Sequence, residues 1–174
     1  MGYPSDLTTK QWNKIKHYFE NENRGKHLRE HKKRKLVNAV LYLNKTGCQW
    51  RQLPNDFPKF TTVSSFYHRA VKSGLREKIR SSLVEETRLA SGRSSEPSYA
   101  LIDSQSVKTT SESEEVGVDG GKKVKGRKRH IVTDIMGNIL AILVHAANIH
   151  DAVGGVSVMK DALLKYPSLK GVCA

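Results

Sequence analysis

Asp103 is the acidic residue whose sequence surroundings best suit chemistry. It follows a short apolar run at residues 99–102 and precedes a polar stretch at residues 104–106. Such an apolar run predicts a strand, and α/β sheets place ligands and catalytic groups at the carboxyl ends of their strands. Asp103 is therefore a candidate catalytic residue, although a lone Asp at the end of a strand is also a common cap or turn residue.

A second group of candidates is a basic run of eight residues. It holds six Lys and Arg side chains between two Gly residues upstream and His130 downstream. Glycines let a backbone approach a ligand closely, and dense positive charge suits phosphate groups. The alternative is a solvated loop whose charge has no ligand. The six candidates are Lys122, Lys123, Lys125, Arg127, Lys128 and Arg129.

Two later segments contain residue types that bind metals. His145 lies in an apolar run, and residues 148–151 end in a His-Asp pair. A histidine in an apolar strand is more often a satisfied core residue, and Asp151 is a good helix N-cap. We therefore predict structural roles for these residues.

The whole chain is strongly basic. Its 174 residues include 30 Lys and Arg against 17 Asp and Glu, which gives a net charge of +13. This balance favours polyanionic partners, with nucleic acid first among them. A ribosomal-type or merely solubilising basic surface is the alternative. Hydrophobic residues at 37% are typical of a chain that folds.

The sequence favours neither a membrane protein nor a disulfide-stabilised one. The longest apolar run, residues 139–147, is far shorter than the roughly 18–20 residues of a membrane span. The start of the chain has no apolar signal segment. Cys48 and Cys173 are far apart, so neither a disulfide framework nor a zinc ribbon is indicated. We expect a cytoplasmic protein.

Charge and composition divide the chain into two regions. Residues 1–90 carry 19 basic and 8 acidic side chains, whereas residues 91–174 carry 11 and 9. Residues 91–98 are rich in Ser, Gly and Pro, which predicts a linker. We therefore expect one domain at residues 1–90, a linker at 91–98 and a second domain at 99–174.

The first region has the spacing of amphipathic helices. Apolar residues recur at intervals of three and four around Trp12, Val37 and Phe66, and a fourth helix is predicted from Leu75. Residues that can cap or end these helices are Thr8 or Thr9 for the first, Gly47 for the second, and Thr61-Thr62 and Gly74 for the third.

Short helices joined by tight turns on a basic chain suggest a helix-turn-helix. Its reading helix would be residues 61–74, although any small helical bundle shows the same pattern. The predicted outward side offers several polar residues, of which Arg69 and Lys72 are our candidates for DNA contact; the others are Ser64, Ser65 and His68.

The second region changes to the spacing of strands. Residues 99–102, 129–133 and 139–147 predict three strands, with a hairpin turn at residues 136–138. A helix is predicted from Asp151 to the Tyr-Pro pair at residues 166–167, followed by another strand. The order β-β-β-α-β is that of a mixed sheet with at least one helix.

Several motifs, in the same order, resemble a known family. They are SDLTTKQW at residues 5–12, LYLNKTGCQWRQLPNDFP at 41–58, DSQSVK at 103–108 and KKVKGRKRH at 122–130. The series resembles that of the insertion-sequence transposases of the insertion-sequence-5-like group, whose pattern begins with Ser-Asp-Leu-Thr-x-x-Gln-Trp. The resemblance spans nearly the whole chain.

The resemblance implies an α plus α/β protein, in which a helix-turn-helix-type DNA-binding domain precedes an RNase H-like DDE domain. In such enzymes two Asp and one Glu hold two divalent ions, Mg²⁺ or Mn²⁺, which act on a phosphodiester. Asp103 matches the first Asp and would be a metal ligand, whereas Asp134 and Asp151 match no position of the triad. The implied partner is double-stranded DNA at terminal inverted repeats, and homodimerisation is left open.

The sequence also departs from the family pattern. The second Asp is due directly after residues 169–174, where the sequence ends. We expect a truncated product, or the first of two reading frames joined by frameshifting. Its RNase H-like sheet would be incomplete, and no metal would be tightly bound. We expect the protein to associate with the bacterial nucleoid. The alternative functions are a catalytically inactive DNA-binding regulator and a structural basic protein of the RNA-binding kind, which would not prefer terminal repeats.

Overall fold

The computed structural model describes residues 2–19, 30–110 and 114–174, and for residues 30–32 it describes the backbone. The chain forms two compact units, Met1–Leu83 and Val84–Ala174. The first unit is helical, and the second contains a mixed sheet covered on one face by a helix. The expected combination of α and β structure is therefore confirmed. No described helix has the length and apolar character needed to cross a membrane.

In the described part of the first unit there are four α-helices, the last of which extends beyond Leu83 into the second unit. Short 3₁₀ turns follow the first helix at Lys16–Phe19 and precede the third at Trp50–Gln52. The four helices are α1 at Thr9–Ile15, α2 at Glu30–Thr46, α3 at Phe60–Lys72 and α4 at Leu75–Ala90.

Most of the predicted helix ends are confirmed. Thr8 caps α1 in a capping box with Gln11, in which the Thr8 hydroxyl accepts the Gln11 N–H. Gly47 and Gly74 follow α2 and α3 with φ of +66° and +68°, the left-handed conformation that ends a helix.

The predicted cap of α3 is wrong. This helix begins at Phe60, and Lys59 is its N-cap without any side-chain hydrogen bond. The carbonyl of Lys59 accepts the N–H groups of Thr62 and Val63. The predicted caps Thr61 and Thr62 therefore lie inside the first turn. No side-chain cap is needed for the N–H groups of Thr62 and Val63, because the Lys59 carbonyl accepts both.

The helices of the first unit pack through the apolar positions that their spacing predicts. One cluster contains Trp12 stacked on Phe19, with ring centroids 5.5 Å apart, beside Ile15. Another contains buried residues of α2 and Val63 of α3. This packing leaves one side of α3 exposed.

The second unit contains a five-stranded sheet. Its central strand is antiparallel to one neighbour and parallel to the other, as expected for a mixed sheet. The elements are β1 at Tyr99–Lys108, β2 at Gly117–Asp119, β3 at Val124–Asp134, β4 at Ile139–Ala146, α5 at Asp151–Lys165 and β5 at Gly171–Cys173. β1 lies between β3 and β5, and both β2 and β4 pair with β3.

Helix α5 covers one face of this sheet, which we call the inner face. Ala100, Val132 and Ala141 from three strands pack with Val158 and Ala162 of α5. Residues of opposite parity on the strands point to the other side, the outer face, and remain partly exposed. Strand parity therefore decides which side chains meet α5.

Three predictions for the second unit need correction. β1 continues to Lys108, so Asp103 lies inside a strand rather than at its end, because nine residues of β1 pair with β3. The basic run is a short turn followed by β3 rather than a loop, and β2 was missed. Asp151 is the first helical residue of α5, while the Nδ1 atom of His150 caps the helix by accepting the Ala152 N–H.

The hairpin turn between β3 and β4 is confirmed. Gly137 has φ of +79°, and the Asp134 N–H donates to the Asn138 carbonyl. The end of α5 at Tyr166 also agrees with the prediction.

The two compact units divide inside α4 rather than at the expected position after residue 90. Arg88 in the last turn of α4 is buried, donates to the carbonyls of Ser94 and Glu96, and pairs with Asp134. These contacts attach the end of α4 and residues 91–98 to the sheet. Residues 91–98 contain no helix or strand.

Candidate active site

A cleft of about 700 Å³ lies between the inner face of the sheet and α5 in the second unit, and Asp103 borders it from β1. By strand parity the Asp103 side chain projects to the outer face, opposite to its neighbours Ile102 and Ser104. The sheet contributes Asp103, Ser104 and His130 to the lining, and α5 contributes Asp151 and Gly155 with several apolar side chains. The cleft is therefore mainly apolar, with a few polar groups. This is the composition expected of a site that positions one polar ligand.

The Asp103 carboxylate is exposed and largely unengaged. Its Oδ1 atom accepts the backbone N–H of Ser104 at 2.8 Å. Among residues 2–19, 30–110 and 114–174, no Lys or Arg pairs with it. Asp103 can therefore offer a carboxylate oxygen to a cation or to another ligand.

Asp103 and the residues near it offer few ligands for a divalent metal ion. Exposed carboxylate oxygen is the ligand type that Mg²⁺ prefers, which suits Asp103. Within the described residues, no group of three or more His, Cys, Asp or Glu is arranged to hold a metal. Asp103 thus fits one ligand position of a Mg²⁺ site.

Asp151, the other carboxylate of the cleft, is already paired with a buried lysine. Lys128 is only 4% exposed, and its Nζ atom lies 2.7 Å from Asp151 Oδ1 and 3.3 Å from Asp119 Oδ2. The same Nζ donates to the Ile149 carbonyl at 3.1 Å. The hydrogen bond to Lys128 lowers the pKa of Asp151, and the same contact raises the pKa of Lys128 against its burial.

Asp119 holds the turn between β2 and β3. Its Oδ2 atom accepts the Ser106 hydroxyl at 2.6 Å, and Oδ1 accepts the N–H groups of Gly121 and Lys122. These hydrogen bonds, with the one to Ser106 as the largest contribution, hold the pKa of Asp119 far below its usual range. The turn brings Lys122 Nζ to 3.5 Å from the Ser104 carbonyl, close to the cleft.

The basic run is divided by the alternation of β3. Lys122 and Lys123 lie in the turn before the strand. Lys128 points to the inner face with His130, whereas the side chains of opposite parity, Lys125, Arg127 and Arg129, point to the outer face. The six predicted phosphate ligands are thus not one surface, and Lys128 is not available to a phosphate.

Two buried histidines pack beside the cleft. The rings of His130 and His145 are stacked, with centroids 5.0 Å apart. Burial, aided by His145, lowers the pKa of His130. His145 Nδ1 lies 2.8 Å from the Ala146 carbonyl, so its predicted place in the core is confirmed. The Nε2 atoms of both rings have no hydrogen-bond partner among the described residues.

Gly154 of α5 makes this packing possible. A Cβ atom at this position would lie 2.3 Å from His130 Nε2 and 2.4 Å from His145 Nε2. Any side chain would therefore push α5 away from the histidine pair.

Asp134 lies away from the cleft in a separate buried ion pair. Its Oδ2 atom is 2.6 Å from Arg88 Nη1, and its Oδ1 atom accepts the N–H groups of Met136 and Asn138. Burial raises the pKa of Asp134, but the hydrogen bonds from Asn138, Arg88 and Met136 outweigh it and lower the pKa. The residue serves the hairpin and the α4 contact, and not the cleft.

In the first unit, α3 presents the predicted polar side. Ser65, His68, Arg69 and Lys72 are exposed, while Ser64 is half-buried and Val63 and Ala70 face the core. Arg69 and Lys72 occupy the last turn of the helix.

Sequence reasoning missed the buried network of Asp119, Lys128 and Asp151. A signal was available for part of it, because a strand through the basic run must alternate its side chains between two faces. Nothing in the sequence pattern linked Asp119 to Lys128, since that contact depends on how β2 and β3 pair.

Comparison with known proteins gives two family matches. Residues 7–80 match a model described as a transposase of the IS4/5 family, and residues 94–170 match a transposase DDE domain. The uncharacterized protein y4sN of Sinorhizobium fredii is 25% identical over 83 residues, which are 48% of this chain and 66% of that protein. The chain thus spans slightly less than two thirds of this relative. No solved structure matches the chain.

Proposed function

We propose that this chain, whose residues 7–80 match an IS4/5-family transposase model and whose residues 94–170 match a transposase DDE domain, binds insertion-sequence ends and contributes Asp103 to their cleavage. The terminal inverted repeats would be its double-stranded DNA partner. The observation that carries the proposal is the exposed carboxylate of Asp103 on the central strand, inside the region that matches a DDE domain.

The position of Asp103 supports a catalytic role over a structural one. A cap or turn residue would lie at the end of a strand, whereas Asp103 lies in the middle of β1, opposite Ile131. It makes a single hydrogen bond, to its neighbouring backbone N–H. An exposed acid without a structural partner in the centre of a sheet is suited to a ligand. The mixed order of β3, β1 and β5 also agrees with an RNase H-like domain.

Mg²⁺ or Mn²⁺ bound at this site would activate the attacking oxygen and stabilise the leaving oxygen of the phosphodiester. Asp103 would supply one oxygen ligand and help to fix the position of the scissile phosphate.

The first unit would bind the DNA sequence next to the cleavage point. Helix α3 exposes Arg69 and Lys72 beside uncharged polar residues, the composition of a helix that contacts both bases and phosphates. A helix-turn-helix arrangement of α2 and α3 is the form that we propose for this contact.

Cleavage of a labelled terminal repeat with Mg²⁺ or Mn²⁺ tests the role of Asp103. In the transposase product that carries these residues, Asp103→Asn should abolish nicking and leave DNA affinity nearly unchanged, since it removes one ligand charge from outside the basic surface. Asp161→Asn is the matched control, because Asp161 is an acid of the same unit that lies on α5 and pairs with Lys165. Equal nicking by wild type and Asp103→Asn would contradict the proposal.

A DNA-binding regulator that does not cleave is the second candidate function. It is favoured by the pairing of Asp151 with Lys128: of the two acids that border the cleft, Asp103 alone has no Lys or Arg partner among the described residues. Such a protein would bind terminal repeats, and nicking would be absent from wild type and from both variants.

A further inference from the structure

The register between β1 and β3 places three basic side chains on the same face as Asp103. Asp103 is opposite Ile131, Gln105 is opposite Arg129, and Val107 is opposite Arg127. Opposite residues of an antiparallel pair project to the same face. The outer face therefore holds the Asp103 carboxylate together with Arg129 and Arg127, and Lys125 follows by the same alternation.

These three side chains differ from Lys128 in burial and in partners. Lys125 and Arg129 are exposed and Arg127 is half-buried, whereas Lys128 is buried. Two carboxylates compensate the charge of Lys128. Among the residues that the structure describes, no carboxylate pairs with Lys125, Arg127 or Arg129. Three uncompensated charges therefore follow one edge of the outer face.

Both arginines are oriented by uncharged acceptors. Arg129 Nε donates to Gln105 Oε1 at 2.9 Å, and Arg127 Nε donates to the Glu114 carbonyl at 2.9 Å. These contacts engage one side of each guanidinium group. Within the described residues, the Nη1 atoms have no hydrogen bond or ion pair and can donate to a second acceptor, such as a phosphate oxygen.

The spacing fits a nucleic-acid backbone. Diagonal neighbours in an antiparallel pair, such as Asp103 and Arg129, lie about 7–8 Å apart. Alternate residues along β3 are about 6.8 Å apart, a spacing comparable with that of neighbouring phosphates along a DNA backbone. Successive long side chains on this face can thus reach neighbouring phosphates of one strand.

The outer face is basic on only one side of Asp103. Leu101, two residues from Asp103 in the other direction along β1, is apolar and 43% exposed. Ile142 of β4, which pairs with Ile131 and is therefore level with Asp103, is 51% exposed. A phosphate backbone would therefore extend from Asp103 toward the Lys108 end of β1, and not toward Leu101.

We propose that Lys125, Arg127 and Arg129 form a phosphate track on the outer face of β3, which holds the DNA strand on one side of the bond cleaved at Asp103. This inference rests on the proposed role of Asp103. Three of the six basic residues at 122–129 would then hold the DNA strand on one side of the cleaved bond. Lys128 has a structural part instead, because it pairs with Asp119 and Asp151.

The test combines arginine variants with DNA that lacks single phosphate charges. Terminal-repeat duplexes would carry one methylphosphonate at each position on either side of the cleaved bond. With wild-type protein, neutral positions on one side should lower the cleavage rate about tenfold, as expected for loss of a charge-assisted hydrogen bond. The Arg129→Gln variant should cleave unmodified DNA about as slowly as the wild-type protein cleaves the methylphosphonate duplex. In this variant, the methylphosphonate nearest to the cleaved bond should cause no further decrease in the cleavage rate.

Lys123→Gln is the matched control, because it removes one exposed charge of the same run from the turn before β3. This variant should keep the full methylphosphonate effect. Arg129→Lys should recover part of the rate, and amide hydrogen exchange of β1 and β3 would verify folding. The proposed phosphate track would be contradicted if Arg129→Gln and Lys123→Gln lowered the cleavage rate equally. It would also be contradicted if methylphosphonates lowered the rate on both sides of the cleaved bond. Normal cleavage by Asp103→Asn would instead refute the proposed function itself.

Discussion

At the scale of single residues, the basic run shows that charge in a sequence does not define a surface. Lys128 and Arg129 are neighbours in the chain, yet one is buried between Asp119 and Asp151 and the other is exposed beside Gln105. A buried lysine must be paired to offset its desolvation. Replacing it would leave two carboxylates without their counter-charge, so it cannot serve as a simple probe of DNA contact.

His130 should make the stability of the second unit depend on pH. Burial and His145 lower its pKa in the folded protein, whereas in the unfolded chain the pKa is near its usual value of about 6.5. Below that pH the unfolded state therefore takes up a proton that the folded state resists. The free energy of unfolding should fall as the pH drops below about 6.5, and level off below the folded pKa.

Amide hydrogen exchange of β3 and β4 between pH 5 and pH 8 would measure this change, after correction for the intrinsic exchange rate. The charge of Asp151 raises the pKa of His130 and so opposes the decrease, whereas the charges of Lys128 and Lys122 lower it further. Because the pKa of Asp151 is itself lowered, Asp151 does not titrate between pH 5 and pH 8. His130→Asn should flatten the pH dependence. His150→Asn, which retains a capping side chain for α5, should not. An unchanged slope in His130→Asn would assign the effect to other groups.

At the scale of elements, the last turns of α3 and α4 differ in the exposure of their basic side chains. The last turn of α4 is fastened by Arg88, whose contacts with Ser94, Glu96 and Asp134 hold the following segment against its own unit. The last turn of α3 instead exposes Arg69 and Lys72. An exposed basic helix end is suited to an external polyanion, while a buried one is structural.

Arg69→Ala should reduce sequence preference without abolishing DNA binding. If Arg69 contacts a base edge, the loss on the cognate terminal repeat should be roughly 1–3 kcal/mol, with a smaller loss on random DNA. Competition binding with the two duplexes measures the difference. Lys59→Ala is a suitable control, since Lys59 is a cation at the opposite end of the same helix. Equal weakening on both duplexes would place Arg69 on the phosphate backbone.

At the scale of the whole molecule, the net charge of +13 predicts how DNA binding responds to salt. Each phosphate that the protein neutralises releases counterions from the DNA. For about six contacts, the slope of log K against log salt concentration should be near −5. Titrations between low and moderate salt, with terminal-repeat and random duplexes, would measure it. A slope flatter than about −2 would mean that charge does not drive binding.

The sequence by itself determined the features that depend on near neighbours. Apolar spacing located α1 to α5, Thr8 with Gln11 capped α1, and Gly47 and Gly137 marked a helix end and a turn. These signals are local because helix spacing, capping and positive φ involve residues within a few positions of one another. The family motifs then matched Asp103, already a candidate from its place after an apolar run, to the first Asp of the DDE triad.

Only the tertiary structure decided the faces and the long-range partners. The register of β3 against β1 divides the basic run, and a shift of one residue would exchange Lys128 with Arg129 between the two faces. The contacts of Lys128 with Asp119 and of Arg88 with Asp134 join residues that are distant in sequence. They depend on how strands pair and helices pack, and local spacing carries no information about either.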